Sequence, residues 1–185
     1  MEFSYVGGRL CLDFVGTLKH RTGSAARELL TAPQRLSAWA MQAGLVDASI
    51  EIADDELPVA IGLREAGYSV VTARLEGGRP NVADVDLLNT RASQHRLTPR
   101  LRPDGSVSRA GTASQLLATL AADLLELLGG PDILKVKHCS HPGCTRLYID
   151  ASRAQNRHWC GMSTCGNRAK VRAFRARQRA LGTQP

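Results

Sequence analysis

Apolar residues in the first 130 positions recur mostly at helical spacing, punctuated by glycine and proline, and the pattern predicts a helical body. Thr31-Ala32-Pro33 is a helix start, and Leu36, Trp39, Ala40 and Ala43 share one face before Gly44 ends the pattern. A second helix is predicted from Asp55 to Leu75, with Leu57, Ile61 and Tyr68 on one side and Gly77-Gly78 beyond it. A third, shorter one opens at an Asn81 cap and carries Val85, Leu88 and Ala92. The strongest signal is Thr112 with Gln115 three residues later, a capping box. Behind it Leu116, Leu117, Leu120, Leu124, Leu127 and Leu128 form a broad apolar face up to Gly129-Gly130-Pro131.

Two stretches read as strand. Leu10 to Val15 is an apolar run interrupted once, by Asp13, and predicts a first strand. Leu97 to Arg102 and Ser106 to Arg109 flank Pro103-Asp104-Gly105, the turn signal of a small hairpin. Arg9 and Asp13, charged beside an apolar strand, are candidates for a ligand pocket, with surface or capping roles as the plainer alternative. Cys11, between leucines, reads as a small buried side chain. The chain shows no internal repeat and no low-complexity tract.

Gly-Gly-Pro and the composition shift after it divide the chain into a mainly helical domain over 1–131 and a small module over 132–185. No apolar run approaches the roughly 20 residues needed to span a bilayer. The first residues do not resemble a secretory signal, so a cytoplasmic protein is expected. The net charge of +7 is unevenly placed: from Lys135 onward eleven Lys or Arg face one acid, Asp150, a net of +10 that leaves −3 for the rest. Segregated charge of this kind favours an anionic partner, nucleic acid before membrane; a face that merely aids solubility is the alternative.

The same region holds C-x4-C-x15-C-x4-C, formed by Cys139, Cys144, Cys160 and Cys165. Zinc needs four soft donors converging at about 2.3 Å for sulfur, and two tight loops, with Pro142-Gly143 and Gly161 or Gly166, can supply them. Leu147-Tyr148-Ile149 and Arg157-His158-Trp159 are expected to pair as a hairpin, with Asp150 to Asn156 as its turn. Disulfides, reduced thiols without metal, an iron–sulfur cluster, or His138, His141 or His158 as a substitute ligand are the competing readings. A site with four thiolates keeps no open position, so it is expected to be structural.

After Cys165 an unbroken run of good helix formers extends to Gly182. On a wheel of about 100° per residue, Arg168, Arg172, Arg175 and Arg179 form one stripe and Lys170 and Arg177 another edge. Ala169, Ala173, Ala176 and Ala180 lie between them. Val171, Phe174 and Leu181 form a further stripe, expected to pack back on the hairpin or on Trp159. Two basic edges can meet phosphates while small alanines allow close approach, and Asn167 or an arginine can reach base edges. Trp159, Phe174, Asp150 and Arg157 are the expected core of the module, with Asp150 paired to Arg157 or Arg168.

At these residues the sequence resembles the CGNR zinc finger family, through Cys165-Gly166-Asn167-Arg168, the Cys139–Cys144 loop, Leu147-Tyr148-Ile149-Asp150, Ser152-Arg153, Arg157-His158-Trp159-Cys160 and Lys170. The N-terminal part is similar to the ABATE domain that precedes such fingers, through Leu10-Cys11-Leu12-Asp13-Phe14 and Thr17-Leu18, with Gly16 where that pattern has an asparagine. The resemblance implies a bacterial, stress-responsive transcription regulator with a mainly helical N-terminal domain and a zinc-dependent DNA-binding C-terminus.

The expectation is therefore a mainly α chain with small β elements, ending in a treble-clef-like four-cysteine finger of knuckle, hairpin and helix. Structural Zn2+ is the expected cofactor and double-stranded DNA the partner. An unknown small-molecule effector and a homodimer are possible additions. An enzyme is not expected, because the N-terminal domain lacks a clustered set of His, Cys and carboxylate. A protein-interaction adaptor or an RNA-binding protein is the alternative.

Overall fold

The computed structural model describes residues 3–22 and 24–181, and its first element corrects an expectation. Leu10–Val15 is not a strand but a helix, α1. A short, nearly continuous apolar run does not distinguish a strand from a helix buried on all sides. Here Cys11, Leu12, Phe14 and Val15 are all buried. The helix has no side-chain cap of its own at Arg9; instead the carboxylate of Asp123 accepts the backbone N–H of Cys11 at 2.8 Å. That contact satisfies an orphan donor and meets the positive end of the helix dipole.

A two-residue hairpin follows, β1 (Leu18–Lys19) against β2 (Arg27–Glu28). Helix α2 (Pro33–Gln42) starts with proline in its first turn as the sequence predicts, and α3 (Glu56–Leu75) fills the second predicted span. Asn81 caps α4 (Val82–Ala92) by accepting the N–H of Ala83 at 2.8 Å. The hairpin around Pro103-Asp104-Gly105 forms as β3 (Arg100–Leu101) and β4 (Val107–Ser108). Both halves of the capping box at Thr112 and Gln115 are present at the start of α5 (Ala113–Gly129).

Helix α5 is the axis of the core, packed against α1, α3 and α4. Its Leu116, Leu120, Leu124 and Leu127 are buried, each contributing about 1.5–3 kcal/mol of transfer free energy. Arg64 of α3 is buried as well and makes a bidentate pair with Glu28 at 2.6 Å on both arms, while its Nε donates to Glu65 at 2.7 Å. The same guanidinium donates to Thr17 Oγ1 at 3.2 Å, tying α3 to the end of α1.

Beyond Gly130 come a short 3-10 turn (Pro131–Lys135), β5 (Val136–His138), β6 (Leu147–Ile149), a wide π-helical turn (Met162–Gly166) and α6 (Asn167–Leu181). A second expectation is corrected here: β6 pairs not with Arg157–Trp159 but with β5, in the register Val136–Ile149, Lys137–Tyr148 and His138–Leu147. The first cysteine loop is itself the turn that brings these two strands together, Cys139 N–H donating to Arg146 O at 3.0 Å. Val136, Leu147 and Ile149 join the apolar core of the helical part, and Ile149 N–H donates to Gly7 O at 2.8 Å. The architecture is mainly helical with small antiparallel hairpins and a C-terminal four-cysteine module. The expected stop at Gly182 and the side chains of Ala180 and Leu181 lie outside the described residues. Among the described residues no helix is long and apolar enough to cross a membrane.

Candidate functional site

Three short segments carry the four cysteines to one point. The β5–β6 turn holds Cys139 and Cys144, with Gly143 at φ 76° and Cys144 N–H donating to His141 O at 2.9 Å. The segment before the π-helical turn supplies Cys160 and is attached to the first loop by Ser140 N–H donating to His158 O at 2.9 Å. The π-helical turn delivers Cys165. It closes with Gly166 N–H on Gly161 O at 3.0 Å, and a Cβ at Gly166 would stand 2.8 Å from Met162 Sδ, so any larger residue there must displace the exposed Met162 side chain.

All four Sγ atoms lie within 4.8 Å of one another, with Cys144–Cys160 at 4.0 Å and Cys160–Cys165 at 3.6 Å. A tetrahedron with metal–sulfur bonds of about 2.3 Å has edges of about 3.8 Å, so this set fits a zinc ion. The surroundings fit as well. Cys139, Cys160 and Cys165 are buried and Cys144 is half-buried, and Cys160 N–H donates to Cys139 Sγ at 3.4 Å, a contact that favours a thiolate. Hydrogen bonding to Cys139, contact with Cys144 and burial push the Cys160 thiol up, and burial raises Cys165 to about 11. Hydrogen bonds from Cys144 and Cys160 lower the Cys139 thiol. Four such sulfurs ionise together only around a cation.

Beneath the sulfurs is a small polar-and-aromatic core. Tyr148 is fully buried among the cysteines and donates its hydroxyl to Arg157 O at 2.6 Å. Arg157 lies over the Tyr148 ring at 4.6 Å, donates to Trp159 O at 2.7 Å and also reaches Cys160 O. Asp150 is fully buried and accepts from Lys137 Nζ at 2.7 Å, Ser152 Oγ at 2.6 Å and the backbone N–H of Arg157 at 2.8 Å. Burial works to raise its carboxyl, but these hydrogen bonds outweigh it and hold it well below the usual range. The expected ion pair is thus corrected: Asp150 takes Lys137 as its cation and only a backbone bond from Arg157, because the Arg157 side chain is occupied by Tyr148 and two carbonyls.

Trp159 stands where expected, half-buried against the cysteines, but Phe174 does not. Phe174 is 55% exposed and Val171 48%, since α6 leaves the module within its first turn and only Ala169 is half-buried. Tyr148 fills the place expected for Phe174. Alternation along Leu147-Tyr148-Ile149 could have revealed it, had Val136–His138 been recognised as the partner strand. Asn167, Arg168, Lys170, Arg172, Arg175, Arg177 and Arg179 are all exposed on α6, which carries six cations and no acid.

Arg9 and Asp13 are both engaged by groups of the fold itself. Arg9 donates to Asp123 Oδ1 at 2.6 and 2.9 Å, and Asp13, 7% exposed, accepts the N–H of Gly7 at 2.8 Å. Both hold residues 7–9 to the helical core, and the partner that explains Arg9, Asp123, is invisible to local reading.

No curated protein matches the chain. The CGNR zinc finger model matches residues 135–178, the segment that carries the four cysteines and most of α6. The model of the ABATE family, described as "Putative stress-induced transcription regulator", matches residues 8–131. The chain belongs to the ABATE family, with a CGNR zinc finger after the ABATE domain.

Proposed function

We propose that this chain is a zinc-dependent transcription regulator that binds double-stranded DNA through α6. The observation that carries the reading is the exposure of every cation of α6 on a helix whose first turn is fixed by Cys165. Zinc, when bound, supplies no open coordination position for chemistry; it ties four thiolates together and so holds a segment too small for a core of its own. Cys139, Cys144, Cys160 and Cys165 are its ligands, and Tyr148, Asp150, Arg157 and Trp159 orient them.

The protein is read as a non-enzymatic, cytoplasmic, stress-responsive regulator. Its helical domain is the place for a small-molecule effector or for a homodimer contact. Exposed Phe174 gives an RNA-binding reading one stacking platform. Single-stranded RNA recognition draws on several, so duplex DNA is favoured. The test is the affinity of the zinc-loaded protein for duplex DNA, measured with R172A/R175A alongside. A loss of about tenfold or more in the variant is expected; unchanged affinity would favour a protein-interaction adaptor instead.

A further inference from the structure

We infer that the face of α6 formed by Asn167, Val171, Phe174 and Gln178 reads base edges in the major groove, and that it selects a short site containing A·T pairs. The inference rests on the duplex-binding reading above. It names which side of the helix faces the floor of the groove.

Four observations lead to it. At about 100° per residue these four side chains form one stripe, and the two cationic edges stand on either side of it, about 180° apart: Arg168, Arg172 and Arg175 on one, Lys170 and Arg177 on the other. The alanine face of Ala169, Ala173 and Ala176 lies on the far side. Ala169 is half-buried in the first turn of α6 while Ala173 and Ala176 are exposed, so the protein covers the alanine face only at the start of the helix, and Asn167, Val171, Phe174 and Gln178 are all exposed. Finally, Val171 and Phe174 are exposed apolar side chains that the fold leaves unused.

A flat anionic surface would meet only one of the two cationic edges. A groove with phosphates on both walls meets both, and the major groove of B-form DNA, about 12 Å wide, admits a helix. The side chains left at its floor have matching chemistry. The amides of Asn167 and Gln178 suit the paired donor and acceptor of adenine, and Val171 and Phe174 suit the methyl group of thymine. From Asn167 to Gln178 the helix rises about 16 Å, the length of four to five base-pair steps of about 3.4 Å.

Selection from random duplexes with the zinc-loaded full-length protein, and then with N167A/Q178A and F174A, tests this. Alanine keeps the helix, so the variants are expected to fold. The expected result is an A·T-containing motif of about four to five positions. In N167A/Q178A, affinity for the selected site should fall about tenfold while affinity for a scrambled duplex changes less than about twofold. Variants that select the same motif as the parent, or that lose affinity for both duplexes in parallel, would overturn the assignment. Duplex binding with no motif at all would overturn it too, yet leave the duplex-binding reading standing. Failure to bind any duplex would remove both.

Discussion

The carboxylate of Asp123 on α5 accepts the backbone N–H of Cys11 at 2.8 Å and so caps a helix 112 residues earlier in the chain. The other oxygen takes Arg9, so a single side chain fixes both the entry and the first turn of α1. Asp123→Ala is expected to cost about 1–3 kcal/mol, combining a lost cap with a partly exposed ion pair. Asp123→Asn, which keeps an acceptor, should cost less. Urea denaturation of the three proteins measures this, and equal midpoints would contradict the capping role.

Burial of Asp13 sets the sign of a pH dependence. Burial raises its carboxyl to about 6, against the opposing pull of the Gly7 N–H and Arg146 and with a further push from Asp123. The folded protein then holds this proton more tightly than the unfolded chain does. Stability from this group is therefore full below about pH 4 and lost as pH rises toward 6. Asp13→Asn keeps an acceptor for Gly7 N–H and removes the buried charge. The variant should exceed the parent in stability at pH 7 by about 1–2 kcal/mol, with a flatter profile between pH 4 and 6. A parallel pair of profiles would show that Asp13 is not the group responsible.

Arg64 is the most deeply buried cation of the helical part, and Glu28 completes it from β2. Removing one partner of such a pair strands the other. Since Glu28 keeps some contact with solvent, Arg64→Met should cost about 2–4 kcal/mol rather than the full penalty of a dry pair. Calorimetric unfolding measures it; a loss below about 1 kcal/mol would mean that solvent replaces the guanidinium at Glu28.

These contacts also show where sequence reading succeeds and where it stops. Helices α4 and α5 were legible because their caps, Asn81 and the Thr112–Gln115 box, lie within a turn of the helices they start. Helix α1 was not, because its cap arrives from Asp123, and an apolar run without a visible cap resembles a strand. The four cysteines were legible from spacing alone, since zinc geometry constrains loop length. The strand partner of Leu147–Ile149 was not: Val136–His138 carries too weak a pattern to compete with Arg157–Trp159. Phe174 was expected inside because large apolar side chains are usually buried. The short module left nothing for it to pack on.

Metal removal should act locally. Trp159 lies against the cysteine cluster and Trp39 lies deep in the helical core, so the two tryptophans report on different places. Chelation is expected to remove one zinc per chain and to shift the emission of Trp159 to the red, with Trp39 little changed. Trp159→Phe should abolish the shift. A chelator that leaves emission unaltered, with no zinc released, would mean the four sulfurs hold no ion.

The central claim is that the cysteine centre fixes a cationic helix that grips duplex DNA, and its most direct measurement is the salt dependence of duplex affinity for the zinc-loaded and zinc-stripped protein. With about four to six phosphates neutralised, the zinc-loaded protein should show a log–log slope of about −4 to −5. The stripped protein should lose most of its affinity. A slope near zero, or the same affinity with and without zinc, would contradict the account.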